Sequence, residues 1–200
     1  MKKFYVILTL LVGTFAVAQD DYEQFVEFKN NLEGDYRNPE ESILTKRELA
    51  VFKGLPFFEY NADFVVEATF TPINDGELIK FATSTAREAI YKRYGKLSFT
   101  LRGESFELTV FQSPTRDENS EYKDHLFLPF TDLTNGDTSY GAGRYMDLTM
   151  PLPETFTLNF NITYNPYCAY SYNYSCPYPP MENHLEIAVE AGIKAGLITK

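Results

Sequence analysis

Arg144 ends a short bend, Gly141-Ala142-Gly143-Arg144, that follows Tyr140 and two carboxylates, Asp132 and Asp137. Glycines reach backbone angles closed to other residues, so the bend allows a sharp turn or a close backbone approach. A guanidinium behind it is a fixed fork for carboxylate, phosphate or carbonyl oxygens. Later come Tyr164-Asn165-Pro166, then Cys168, Cys176-Pro177, Pro179-Pro180 and Asn183-His184. Two thiols and one histidine in this stretch allow three chemistries. Cys168 and Cys176 can form a disulfide that clamps a ring-rich loop, contributing roughly 2–3 kcal/mol for so short a closure. They can share a metal with His184, although C-x7-C-x7-H is not a zinc spacing and lacks a fourth ligand. Either can be a nucleophile activated by His184. The disulfide is the expected state, because the chain also carries an export signal.

Around these residues lies a candidate ligand surface: Asp132, Tyr140, Gly141, Gly143, Arg144, Asn161, Tyr164, Asn165 and Asn183. Arg144 suits an anionic group, but it equally suits a structural tie to Asp132, Asp137 or backbone carbonyls. The asparagines can orient a ligand or cap turns. Tyr170, Tyr172 and Tyr174 alternate, so in extended chain they share a face. Such rings can stack on a sugar or another planar ligand, or pack the loop onto the core; packing is the plainer reading. A small molecule or glycan is therefore the expected partner, in a binding or structural role. The alternative is a small hydrolase with Arg144 as electrophile and a carboxylate or cysteine as base or nucleophile. Asp132, Asp137, Glu182 and Glu190 offer carboxylates, but no spacing singles out a pair. The chain holds two histidines. Nothing reads as a metal site, and no cofactor motif stands out. Gly141-Ala142-Gly143 is too short for a dinucleotide fingerprint.

Two blocks carry a resemblance. The stretch PFTDLTNGDTSYGAGRYMDL, followed by LNFNITYNPYCAYSYNYSCPYPPMENHL and IAVEAG, resembles a bacterial family known as domain of unknown function 1684. Its pattern of Asp-x-Thr-x-Gly, Thr-Tyr-Gly-x-Gly-Arg, Tyr-Asn-Pro-x-Cys-Ala and Cys-Pro-x-Pro-Pro-x-x-Asn is met here from Asp132 to Arg144, with Ser139 in place of the second Thr, and from Asn161 to Asn183. The upstream segment LPFFEYNADFVVEATF is similar as well, so the likeness spans roughly Lys53 to Lys194. His184 stands where the family has Arg, and Ile193 where it has Glu. The resemblance implies no activity.

These residues need a scaffold. Lys2 and Lys3, an apolar run from Phe4 to Phe15, and Ala16-Val17-Ala18 make residues 1–18 a signal peptide with cleavage after Ala18. The mature chain is then exported, periplasmic or secreted, and no later segment is apolar enough to span a membrane. With 18 basic and 28 acidic residues the net charge is −10; losing Lys2 and Lys3 leaves 16 against 28, or −12. That argues against nucleic acid as a partner. The sequons at Asn161 and Asn173 read as chance beside a bacterial-type signal.

Residues 19–52 predict two short helices packed on the domain. One runs over 20–32, where Tyr22, Phe25, Val26 and Leu32 recur at helical spacing before Gly34. The other runs over 40–52, after Pro39. Residues 53–200 read as a β domain. Strands are predicted over 64–70, 77–83, 86–94, 97–101, 106–110, 125–130, 145–148, 156–160 and 185–191, with a turn at Arg102-Gly103-Glu104. Short strands without intervening helices predict a mainly β fold, an antiparallel barrel or sandwich with two short N-terminal helices.

Overall fold

The computed structural model describes residues 5–115, 119, 120 and 122–196. Residues 1–4, the start of the expected signal segment, and residues 197–200, the end of the expected β domain, lie outside the described residues.

Helix α1 runs unbroken from Tyr5 to Arg37. It contains the helix predicted over 20–32 but passes through Gly34, which is exposed and where an added Cβ would meet nothing beyond the helix itself within 4 Å. A glycine there costs only about 1 kcal/mol of helix propensity. The chain then turns: the Ser42 amide donates to the Asn38 carbonyl at 2.8 Å, and Ser42 Oγ donates to the Tyr36 carbonyl at 2.6 Å. The second predicted helix shrinks to α2, Lys46–Leu49. Thr45 and Glu48 form a capping box that starts it late, while Ile43, Leu44 and Phe52 pack round Tyr36 and Leu55. The N-terminal part is thus one long helix and a single helical turn, not two short helices. Among the described residues no helix is long and apolar enough to cross a membrane.

The rest is mainly β. Strands β1 (Val65–Pro72), β2 (Leu78–Ala82), β3 (Glu88–Leu101), β4 (Glu104–Gln112), β5 (His125–Asp132), β6 (Arg144–Thr149), β7 (Thr155–Asn159) and β8 (His184–Leu185) form one sheet. The order is β6-β5-β4-β3-β1-β7, with β2 on the first half of β3. All these pairs are antiparallel; β8 adds a two-residue parallel pairing with β5. The sheet curls into a half-barrel rather than closing or splitting into a sandwich. Two predicted strands, 86–94 and 97–101, are a single strand β3. Gly95 marks a register shift within it, and from there the strand pairs with β4 through the hairpin turn. A Cβ there would come within 2.2 Å of the Phe70 ring, so only glycine lets β1 lie so close. The β3–β4 turn is where the sequence places it: Arg102 and Gly103 have φ of 49° and 86°, the two left-handed residues of a type I′ turn.

Strand β5, the second half of β4 and the first half of β6 are buried on both faces, and β5 accordingly reads as a near-continuous apolar run. Leu108, Val110, Leu126, Leu128, Phe130 and Met146 point into the main core. Their alternate neighbours Phe111, Phe127 and Tyr145 point the other way, into a second cluster closed by Cys168 and Cys176. Each large ring sealed there contributes roughly 1.5–3 kcal/mol. A third cluster joins α1 to the end of the chain through Tyr36, Leu55, Tyr170 and Ile193. The loop carrying the cysteines is therefore the lid of the outer face.

Candidate functional site

Arg144, the first residue of β6, is fully buried and so is its partner Asp132: Nη2 and Oδ2 are 2.8 Å apart. Nη2 also donates to the Val189 carbonyl at 2.8 Å, and Nη1 to the carbonyls of Ala191 and, at 3.4 Å, Ile193. Three alternate residues of an extended segment thus face one guanidinium. The strand predicted over 185–191 pairs regularly only at β8, with one further backbone bond from the Leu133 amide to the Ile187 carbonyl at 3.2 Å; beyond that a side chain takes the place of a neighbouring strand. Asp132 Oδ1 accepts from the Thr134 amide (2.9 Å), the Thr134 hydroxyl (2.6 Å) and the Val189 amide (3.1 Å). Burial pulls the Arg144 pKa down, and Asp132 opposes that shift. Buried charges survive only when paired and hydrogen-bonded, and this pair is both. Arg144 and Asp132 are scaffold, closed to a ligand.

The asparagines are scaffold too. Asn183 accepts from the Thr109 amide at 2.8 Å and donates to the carbonyls of Thr109 (2.8 Å) and Pro129 (2.7 Å), stitching β4 to β5. Asn161 makes a reciprocal pair with the Asn61 backbone, both bonds 3.0 Å. Asn165 donates to Tyr170 Oη and to the Lys194 carbonyl, each at 3.0 Å. All three are buried in separate places. The predicted surface therefore does not assemble as one open patch.

Its two halves do meet. A Cβ on Gly143, whose φ is +92°, would lie 2.6 Å from the Phe130 carbonyl oxygen and 2.7 Å from Pro179 Cγ. Tyr140 Oη reaches Cys168 Sγ at 3.8 Å. Gly141, by contrast, has its nearest neighbour at 3.6 Å. Cys168 and Cys176 are buried thiols rather than a disulfide, with the Cys168 amide donating to Cys176 Sγ at 3.2 Å. The Cys168 pKa is lowered to about 6, chiefly because Cys176 donates to it, with Ser84 and Tyr140 helping against burial. Cys176 is raised in turn, chiefly by that same bond. His184 pairs with Thr131 (2.9 Å) and Glu186 (3.5 Å), so it supports neither the metal nor the nucleophile reading. The three alternating tyrosines also separate: Tyr170 is buried, Tyr172 exposed and Tyr174 packed in the outer cluster. A 3₁₀ turn at Tyr167–Ala169 begins the loop, which is not extended there.

Between this loop, the outer face of the sheet and α1 lies a cleft of about 430 Å³. Helix α1 supplies Phe28, Leu32 and Asp35. The sheet supplies Tyr91 from β3, His125 and Phe127 from β5, and Tyr145 and Asp147 from β6. Tyr164, Tyr167 and Cys176 come from the loop and Tyr122 from the β4–β5 connection. His125 Nε2 and Asp147 Oδ1 are 2.7 Å apart. Tyr164 Oη donates to both oxygens of Asp147 at 2.8 Å, and Tyr145 Oη donates to the Pro177 carbonyl. The Tyr164 pKa is held well above its usual value, by burial first and then by Asp147; burial does the same for Tyr145. Both hydroxyls therefore remain donors. A larger groove of about 680 Å³ crosses β1, β3 and β4, but it is an open sheet surface. Among the described residues, no three His, Cys, Asp or Glu side chains cluster as a metal ion would need.

Residues 50–194 match the family described as protein of unknown function (DUF1684). This chain belongs to that family. Its fold is also similar to the solution NMR structure of an uncharacterized protein from Haloarcula marismortui, at 36% identity and a TM-score of 0.69, covering 90% of this chain and 96% of that one. No curated protein matches. In this DUF1684 member the matched region takes in the Asp132–Arg144 pair, both cysteines and every cleft residue outside α1.

Of the candidate ligand-surface residues and cysteines named from the sequence, Tyr164 and Cys176 line the cleft. His125, Tyr91, Tyr145 and Asp147 were not foreseen. Their signal was strand alternation: Tyr145 and Asp147 are two apart on β6, and Asp147 sits opposite Phe127, two from His125, on β5. Arg144, one residue earlier, necessarily faces the other way.

Proposed function

We propose that this DUF1684 member is an exported binding protein that holds a small molecule in the cleft between α1, the outer face of β3–β5–β6 and the cysteine loop. The observation that carries this is the lining: several tyrosine rings on rigid strands round one His125–Asp147 pair. Largely apolar concavities with few, fixed polar groups are how proteins bind small ligands. Export rests on Lys2, Lys3, the apolar run and Ala16-Val17-Ala18. Cleavage after Ala18 would leave the cleft-lining part of α1 intact, and N-terminal sequencing of secreted protein should begin at Gln19. In an oxidising compartment the adjacent thiols would exchange with a donor disulfide, which accepts their two electrons and two protons, and so close the loop. The hydrolase alternative finds no support, since Arg144 is sealed against Asp132. Thermal unfolding in the presence of sugars, amines and small planar compounds tests the binding role. A ligand at ten times its Kd should stabilise by about 1.4 kcal/mol, and Tyr167→Ala should abolish the gain. No shift with any compound, or shifts that Tyr167→Ala leaves intact, would refute it.

A further inference from the structure

We infer that the cleft takes an organic cation, a compact quaternary or methylated ammonium. The inference rests on the cleft being the ligand site.

Ring geometry comes first. Tyr145 stands perpendicular to Phe127 (80°, centroids 4.7 Å apart) and to Tyr164 (89°, 5.8 Å). Tyr145 thus meets each of the other two edge-to-face, and the three rings wall one side of the cleft. A cation over a ring face gains about 0.5–2 kcal/mol, the more so where water is excluded. Tyr91, stacked on Phe127 at 5.2 Å, and Tyr167 on the loop extend the walls.

Polar chemistry points the same way. Of the five lining tyrosine hydroxyls, two are already committed as donors: Tyr164 Oη to Asp147 and Tyr145 Oη to the Pro177 carbonyl. The lining carboxylates are Asp35 and Asp147, and its one basic side chain, His125, already leans on Asp147. Ring faces and carboxylate charge are what the cleft offers a ligand, and both favour a positive group. A neutral sugar would need donors and acceptors in comparable number. Arg87 is the neighbouring cation, held by the Ser175 carbonyl at 2.8 Å and hydroxyl at 3.0 Å; it acts on Tyr91 and Cys176 and so limits the attraction without lining the cleft. The net charge of −10 adds a long-range field of the right sign.

Calorimetric titration of the reduced full chain with choline, and with its neutral isostere 3,3-dimethylbutan-1-ol, tests this directly. The two probes share a shape and differ in charge. Choline should bind about tenfold more tightly or better. Asp147→Asn and Tyr167→Ala should each weaken choline about fivefold or more, and Asp147→Asn should cost the neutral isostere less than it costs choline. Arg87→Gln, outside the lining, should strengthen choline binding. Equal affinity for the two probes, or binding of neither, overturns the cation inference. The binding role itself is judged by the wider thermal series: it falls if no compound there shifts the melting temperature, or if Tyr167→Ala leaves the shifts intact.

Discussion

Arg144 Nη2 lies 2.8 Å from Asp132 Oδ2, with neither side chain reaching solvent. From that pair radiate the bonds that hold the turn after β5 and the extended segment from Val189 to Ile193. Removing one charge leaves the other buried and uncompensated, which costs about 3–5 kcal/mol. Arg144→Met and Asp132→Asn should each lower the urea midpoint accordingly, and the Arg144→Met/Asp132→Leu double variant should lose less than their sum. A cost below about 1 kcal/mol for Arg144→Met would show that the guanidinium is not structural.

The two glycines of the bend should behave differently. Gly143→Ala puts a methyl against the Phe130 carbonyl at a φ of +92°, so a loss of about 2 kcal/mol or more is expected. Gly141→Ala meets its nearest atom at 3.6 Å and should stay within about 1 kcal/mol of wild type. Equal effects in thermal unfolding would mean that the bend does not approach Pro179 as closely as described.

The reduced thiols should titrate as a pair. Cys168 loses its proton at about 6 in the folded chain, against roughly 8.5 when unfolded. Its depressed value stabilises the fold fully above the unfolded value, and that gain is lost as pH falls through 6. Cys176 is shifted upward, so above roughly 8.5 the unfolded chain gains by ionising a thiol that the fold keeps protonated. Stability of the reduced protein should therefore rise from pH 6 and peak near pH 8.5. Ultraviolet thiolate absorbance should show one thiol titrating early, and Cys176→Ala should return Cys168 toward its ordinary range. Two thiols titrating together near their usual value would contradict this.

What could be read in advance depended on range. Alternation in Leu97–Leu101 and Phe106–Val110, with Arg102-Gly103 between, is local, and the hairpin follows from it. The meeting of the glycine bend with the cysteine loop was also foreseeable, because Gly143 and the prolines each demand unusual backbone. Arg144 shows where reading stopped. A guanidinium after a glycine bend suits a ligand and a backbone tie equally, and burial alone separates them. The second helix failed because Thr45 and Glu48 cap it late, a contest that apolar spacing over 40–52 cannot reveal. The cleft was hidden because its walls come from α1, three strands and a distant loop, and no short motif joins Phe28, Tyr91, His125 and Tyr164.

The central claim is that the outer tyrosine cleft, and not the Arg144 region, is the ligand site. Two-dimensional amide NMR of the labelled chain, titrated with choline or with any compound that raises its melting temperature, tests this most directly. The largest shifts should fall on Tyr91, Phe127, Tyr145, Asp147 and Tyr164, leaving Asn161 and Asn183 in place. Shifts centred on Val66, Ser98 and Phe106 of the open sheet groove, or none at saturating ligand, would contradict it.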